Sequence, residues 1–151
     1  MEKIPIIGLM SGTSMDGIDA SFVYTDGISL ERTNYSSITP YQFKTKKLLQ
    51  MAIHNPVDFL NDQLNLSLLI QLITEEHADA VISLINKFKL NPFLIGFHGQ
   101  TIFHNPKTIG SIQLGSGILL SQILKKNIVY NFRNNDIKSG GQGAPLAPIY
   151  H

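Results

Sequence analysis

The chain opens with short apolar runs broken by polar turns. Residues 4–10, 19–25 and 33–39 predict three strands, divided by "SGTSMDGID" at 11–19 and "DGIS" at 26–29. Connections this short favour antiparallel neighbours, so the three strands predict a meander with residues 12–18 as its first turn. "FKTKKLLQMAI" (43–53) then carries apolar residues at helical spacing and stops ahead of Pro56, which disfavours helix at Asn55. The longest periodic stretch runs from Asp58 to Leu90, with Leu66, Leu69, Ile70, Ile73, Ala80, Val81, Leu84, Ile85 and Phe88 on one helical face. "EEHADA" (75–80) is the expected point of interruption. Burial against a core explains that face better than a partner does.

"FLIGFHG" (93–99) reads as a compact buried strand, "GILLSQILKK" (117–126) as a helix and "NIVYNF" (127–132) as another strand. Strand, helix, strand is the order of a crossover unit, so the second half is expected to add parallel strands to the meander. The fold class is α/β with a mixed sheet. The glycine- and proline-rich "SGGQGAPLAPIYH" at the end has no closing element, and the expectation is a chain cut short of its fold.

Composition narrows the function. A chain of 151 residues, 43% hydrophobic and 15% charged, is expected to fold as one domain and is not disordered. Twelve basic against eleven acidic side chains leave a net charge of +1, which gives no reason to expect nucleic acid or a membrane as partner. The absence of cysteine excludes disulfides and thiolate metal sites and suits a reducing cytoplasm. The apolar stretch before Ser11 is too short for a signal peptide, and no run approaches the roughly 20 residues that cross a bilayer. The expected location is cytoplasmic.

The turn at 11–19 holds more hydrogen-bonding groups than a turn requires. It lacks the glycine-lysine-serine or -threonine ending of a Walker A loop, and Asp16 stands where a nucleophile elbow needs its last glycine. What remains is a hairpin whose N–H groups, with Ser11, Thr13 and Ser14, can bind an anion, Gly12 and Gly17 allowing close approach. Asp16 and Asp19 beside phosphate call for an intervening cation such as Mg²⁺. An ordinary polar β-turn explains the same residues.

Two later loops also gather polar groups after strands. "GFHGQTIFHNP" (96–106) projects His98, Gln100 and Thr101 from a strand's carboxyl end, where ligands sit in open α/β sheets. His98 and His104 lack the neighbours of a metal site, and a structural histidine is the plainer reading of each. "GSG" at 115–117 opens a helix, but Leu120 replaces the third glycine of a dinucleotide fingerprint. "NFRNNDIKSGGQGAPL" (131–146) offers Arg133 and Asp136 for hydroxyl or phosphate recognition, or is a plain glycine-rich loop.

Together, "GLMSGTSMDGID", "GFHGQT" and "NFRNNDIKSGGQGAPLAPIYH" resemble the anhydro-N-acetylmuramic acid kinases, a family of the actin-like, sugar-kinase and Hsp70-like ATPase fold. That family uses ATP and water to open the 1,6-anhydro bond of its sugar and phosphorylate O6, in bacterial cell-wall recycling. The resemblance implies that Gly12, Thr13, Ser14, Met15, Asp16, Gly17, Ile18 and Asp19 form an ATP-phosphate hairpin, Asp16 acting through Mg²⁺. It also implies that His98, Gln100, Thr101, Arg133 and Asp136 lie along the sugar site. Asn131, Asn134 and Asn135 depart from the family's "DFR" with its further arginines. Family members are more than twice this long, and their second lobe carries a "DTGPGN"-like motif whose aspartate is the general base. No such motif occurs here. Residues 1–151 are therefore expected to be an N-terminal lobe that is inactive alone. The resemblance implies anhydro-N-acetylmuramic acid as a partner, and a separate C-terminal lobe or a second copy of the chain is the expected source of the missing half. A non-enzymatic remnant or binding module is the alternative; a sugar hydrolase ranks last, because no paired catalytic carboxylates are apparent.

Overall fold

Ile7, Leu9 and Ser11 are buried while Gly8 and Met10 face out, and this period of two makes β1 (Ile4–Ser11) a half-buried strand. The computed structural model describes residues 2–105, 107 and 110–146; residue 1, residues 106, 108 and 109, and the end of the last glycine- and proline-rich stretch at 147–151 lie outside the described set. Ile18, Ala20 and Phe22 repeat the alternation in β2 (Ile18–Thr25), which pairs antiparallel with β1 and with β3 (Leu30–Thr39). The expected meander is present, and residues 12–17 form its first turn.

Three helices follow: α1 (Phe43–His54), α2 (Pro56–Asn61) and α3 (Gln63–Phe88). The break falls at Asp62, not at "EEHADA". Asp62 caps α3 by accepting from Asn65 N–H at 3.2 Å, whereas 75–80 continue the helix. The polar residues there turn inward because each finds a partner. The Glu76 carboxylate accepts from Gln42 N–H at 2.9 Å and from the Thr45 hydroxyl, closing the N-terminus of α1, which has no side-chain cap of its own. His77 donates from Nδ1 to Ile73 O at 2.7 Å; its Nε2 is buried with no partner among the described residues, and burial holds the ring down to about 4.

The second half contains β4 (Leu94–Asn105), β5 (Gly110–Leu114), α4 (Gly117–Leu124), β6 (Asn127–Tyr130) and α5 (Phe132–Lys138). β4 runs parallel to β1 and β6, as the crossover order requires, and antiparallel to β5, an element the apolar pattern does not reveal. The six-stranded sheet has the order β3-β2-β1-β4-β5, with β6 beside the first half of β4. Three expectations are corrected. β4 continues six residues past the predicted end at Gly99, β6 stops at Tyr130, and the loop expected around Arg133 and Asp136 is the helix α5.

Helices α1, α3 and α4 cover one face of the sheet. Leu69, Ile73, Val81 and Leu84 of α3 meet Ile7, Leu9, Ile95 and Phe97 there, each large side chain contributing about 1.5–3 kcal/mol by its burial. On the other face of the meander Gly8, Met10, Asp19 and Ser21 are exposed. Farther along, α5 covers that second face, with Phe132 lying against Gly96.

Candidate functional site

The two regions singled out in the sequence meet at the carboxyl ends of β1 and of the parallel part of β4. In the hairpin, Met15 N–H donates to Gly12 O at 3.1 Å and Met15 takes a left-handed φ of 57°. Thr13, Ser14, Asp16 and Asp19 are exposed. Met15 is partly buried against the core, and Ile18 is wholly buried. Thr13 N–H meets no acceptor and the Asp16 carboxylate no donor or cation among the described residues.

Ser11 does not face an anion. It is fully buried, and its hydroxyl lies 3.2 Å from Gly17 O and also reaches Gln100 Oε1. Gly17 packs against the end of β3: a Cβ there would lie 2.6 Å from Thr39 O. Both residues close the hairpin from beneath.

β1 and β4 pair in step from Ile6↔Leu94 to Leu9↔Phe97, and then Ser11 pairs with Gln100. β4 thus carries an extra residue at His98–Gly99, a bulge of the kind found beside active sites. Gly99 has φ +71°, and a Cβ on it would lie 2.7 Å from Leu114 O, so only glycine fits. The bulge turns Gln100 to the face of Ser11. Gln100 and Thr101 are both buried. The Gln100 amide donates to Gly12 O at 3.0 Å and Thr101 O at 3.1 Å, and Tyr41 OH reaches its Oε1 at 3.3 Å.

His98 looks the other way, toward α5. Its Nδ1 donates to Gly99 O at 2.9 Å and its Nε2 accepts from Arg133 Nε at 2.8 Å, which fixes one neutral tautomer. Burial, with the Arg133 charge beside it, holds the imidazole below its ordinary value. Two clefts share His98. One, of about 300 Å³, lies between Met10, His98, Arg133 and residues Gly143 to Leu146. The other, of about 160 Å³, fills the gap where β6 ends at Tyr130 and β5 ends at Leu114. Asp136 stands behind them. Its Oδ2 accepts from Gly143 N–H at 2.7 Å, and Gly141 packs on the carboxylate so closely that a Cβ would lie 2.1 Å away. A larger open hollow of about 590 Å³ lies at the opposite ends of β1, β4 and β6, but Lys126 there is bonded to Asn91 at 2.9 Å.

Two of the three departures from the family pattern answer each other. Asn131 takes a left-handed φ of 66° ahead of α5, and its Oδ1 accepts from Asn134 Nδ2 at 3.0 Å. An amide pair stands where the resemblance leads one to expect a carboxylate and a cation. Met10 lines the cleft although its apolar side chain gives no sign of it in the sequence, and Tyr41 lies outside both clefts, beneath the hairpin.

No group of three His, Cys, Asp or Glu able to hold a metal occurs among the described residues. A cation at the hairpin would be held by Asp16, with phosphate oxygens and water completing its shell, which is how Mg²⁺ is commonly bound. No helix among the described residues is long and apolar enough to cross a membrane.

A relative from Pelagibacter ubique, an anhydro-N-acetylmuramic acid kinase, is 45% identical over all of this chain. Relatives of the same name from Gluconobacter oxydans and Rhodospirillum rubrum are each 38% identical over 96% of it. The chain spans about two fifths of their length: 41%, 40% and 38% respectively. The six-stranded mixed sheet agrees with the N-terminal lobe of the sugar-kinase and actin-like ATPase fold. The family model for anhydro-N-acetylmuramic acid kinase matches residues 4–151, and the chain belongs to that family.

Proposed function

We propose that residues 1–151 are the N-terminal lobe of a cytoplasmic, ATP-dependent kinase acting on 1,6-anhydro-N-acetylmuramic acid. The enzyme opens the anhydro bond with water and phosphorylates O6. The observation that carries this reading is the adjacency of the two regions. Met10, two residues before the hairpin, lines the same cleft as His98 and Arg133. Gly12 to Asp19 hold the ATP phosphates through N–H groups and the Thr13 and Ser14 hydroxyls, and Asp16 holds Mg²⁺. When bound, Mg²⁺ neutralises charge on the transferring phosphoryl group. Arg133 directs its guanidinium, oriented through Nε by His98, at the sugar's polar groups. Thr101 and Asp136 serve the sugar side from behind, by fixing the strand and the glycine-rich loop that wall it, and Gln100 ties that strand to the hairpin.

The general base and the second wall of the nucleotide cleft belong to a further portion of the family's length, in this polypeptide or another. A binding module without turnover is the second reading. It is favoured for the 151 residues alone because no carboxylate lines either cleft among the described residues. Calorimetry with the anhydro sugar in the presence of Mg·ATP tests the first reading. The chain is expected to bind the sugar, and to form product only when the remaining portion is supplied. Absence of sugar binding overturns the kinase-lobe reading; turnover near ~1 s⁻¹ by the chain alone overturns the need for a second wall.

A further inference from the structure

Gln100 lies at the junction of the two regions, and its amide nitrogen donates to backbone while its Oε1 accepts from the Ser11 and Tyr41 hydroxyls. Its Nε2 donates to Gly12 O, which also accepts from Met15 N–H, so both lone pairs of that carbonyl are directed inward. The Gly12–Thr13 peptide is trans. In a trans peptide the N–H points opposite to the C=O. Holding Gly12 O beneath the hairpin therefore turns Thr13 N–H out toward the exposed tip, where it meets no acceptor among the described residues. Two residues earlier in the same strand, His98 holds Arg133 on the opposite face. Only the bulge at His98–Gly99 lets one short segment serve both faces.

We infer that Gln100 is a positioning residue for nucleotide binding: it orients Thr13 N–H as a phosphate donor and touches no ligand itself. The inference rests on the kinase-lobe reading, since it needs a phosphate at the hairpin. Tyr41 and Ser11 support Gln100 but do not replace it. Without its amide, Tyr41 OH still reaches Ser11 Oγ at 2.9 Å and Ser11 still reaches Gly17 O at 3.2 Å. Gln100→Met, of similar length and unable to donate, thus leaves each hydroxyl a partner.

The test follows the Thr13 amide by ¹H–¹⁵N NMR while the ¹⁵N-labelled chain is titrated with inorganic tripolyphosphate and Mg²⁺. In the wild-type chain the Thr13 resonance is expected to move. In Gln100→Met the affinity read at Thr13 is expected to fall about tenfold, the effect of losing one charge-assisted hydrogen bond. Tyr41→Phe, which keeps the Gln100–Gly12 bond, is expected to behave as wild type; a weakening equal to that of Gln100→Met would mark general loosening and overturn the inference. An unchanged response in Gln100→Met overturns the inference and leaves the kinase-lobe reading standing. No response in the wild-type chain overturns both. Gln100→Leu also cannot donate to Gly12 O and covers the case in which Gln100→Met does not fold. If both variants lose their dispersed spectra, Gln100 is a folding residue and the positioning role is overturned.

Discussion

The hairpin and the cleft are built on opposite plans. At Gly12 to Asp19 the outward groups are exposed and meet no partner among the described residues, and the bonds that shape them lie buried below, in Ser11 and Gln100. At His98 and Arg133 the outward groups are bonded to each other, so recognition and support are the same side chains. A region of the first kind can lose a ligand-facing group with little loss of stability. One of the second kind cannot change recognition without disturbing its own frame.

The largest expected effect strikes both regions at once. Gly99→Ala places a Cβ against Leu114 O at a positive φ, and the expected destabilisation is about 3 kcal/mol, read by urea denaturation. Acid comes next. The unfolded chain binds a proton at His77 near its ordinary 6.5, whereas the folded chain does so only at about 4. Stability is therefore full above 6.5 and falls as pH drops toward 4, by on the order of 2 kcal/mol at pH 5. His98, also held below its ordinary value, adds in the same direction. A stability flat from pH 7 to 5 would show that the core histidine is not sealed from water.

Arg133→Met sharpens the contrast from the cleft side. Removing the donor to His98 is expected to cost about 1 kcal/mol of stability and at least about tenfold in sugar affinity, measured together by denaturation and calorimetry. The hairpin gives the smallest change in stability. Asp16→Asn, at an exposed tip, is expected to shift unfolding by no more than about 0.5 kcal/mol while abolishing the Mg²⁺ dependence of phosphate binding. A stability loss at Asp16 comparable to that at Arg133 would erase the distinction.

The legible parts of this chain are those in which local pattern and final environment agree. The meander shows in its period of two, and its first turn in Gly12, Gly17 and the hydroxyls around them. The core face of α3 shows in Leu69, Ile73, Val81 and Leu84. What stayed hidden depends on partners distant in sequence. β5 is five residues long, too few for periodicity, and exists because β4 offers it an edge. α5 reads "FRNNDIK", a poor helix former, and is held by Phe132 against Gly96 and by Asn131 at its start. Glu76 and His77 looked like a break in a helix because their burial is justified only by Thr45, Gln42 and Ile73. The same holds at the site. Gln100 was visible as polar, but the face it takes is decided by a pairing shift between β1 and β4.

The gap along β4 has a thermodynamic consequence. One edge of this strand is shared end to end by β6 and β5, and residues 98–99 between them pair with neither. The smaller cleft is therefore floored and ended by strand backbone held in the sheet. A ligand entering it has little chain to order, so its association should lose little conformational entropy and depend weakly on loop closure. Its size limit is set by where Tyr130 and Leu114 fall along β4, quantised in steps of about 3.3 Å per strand residue.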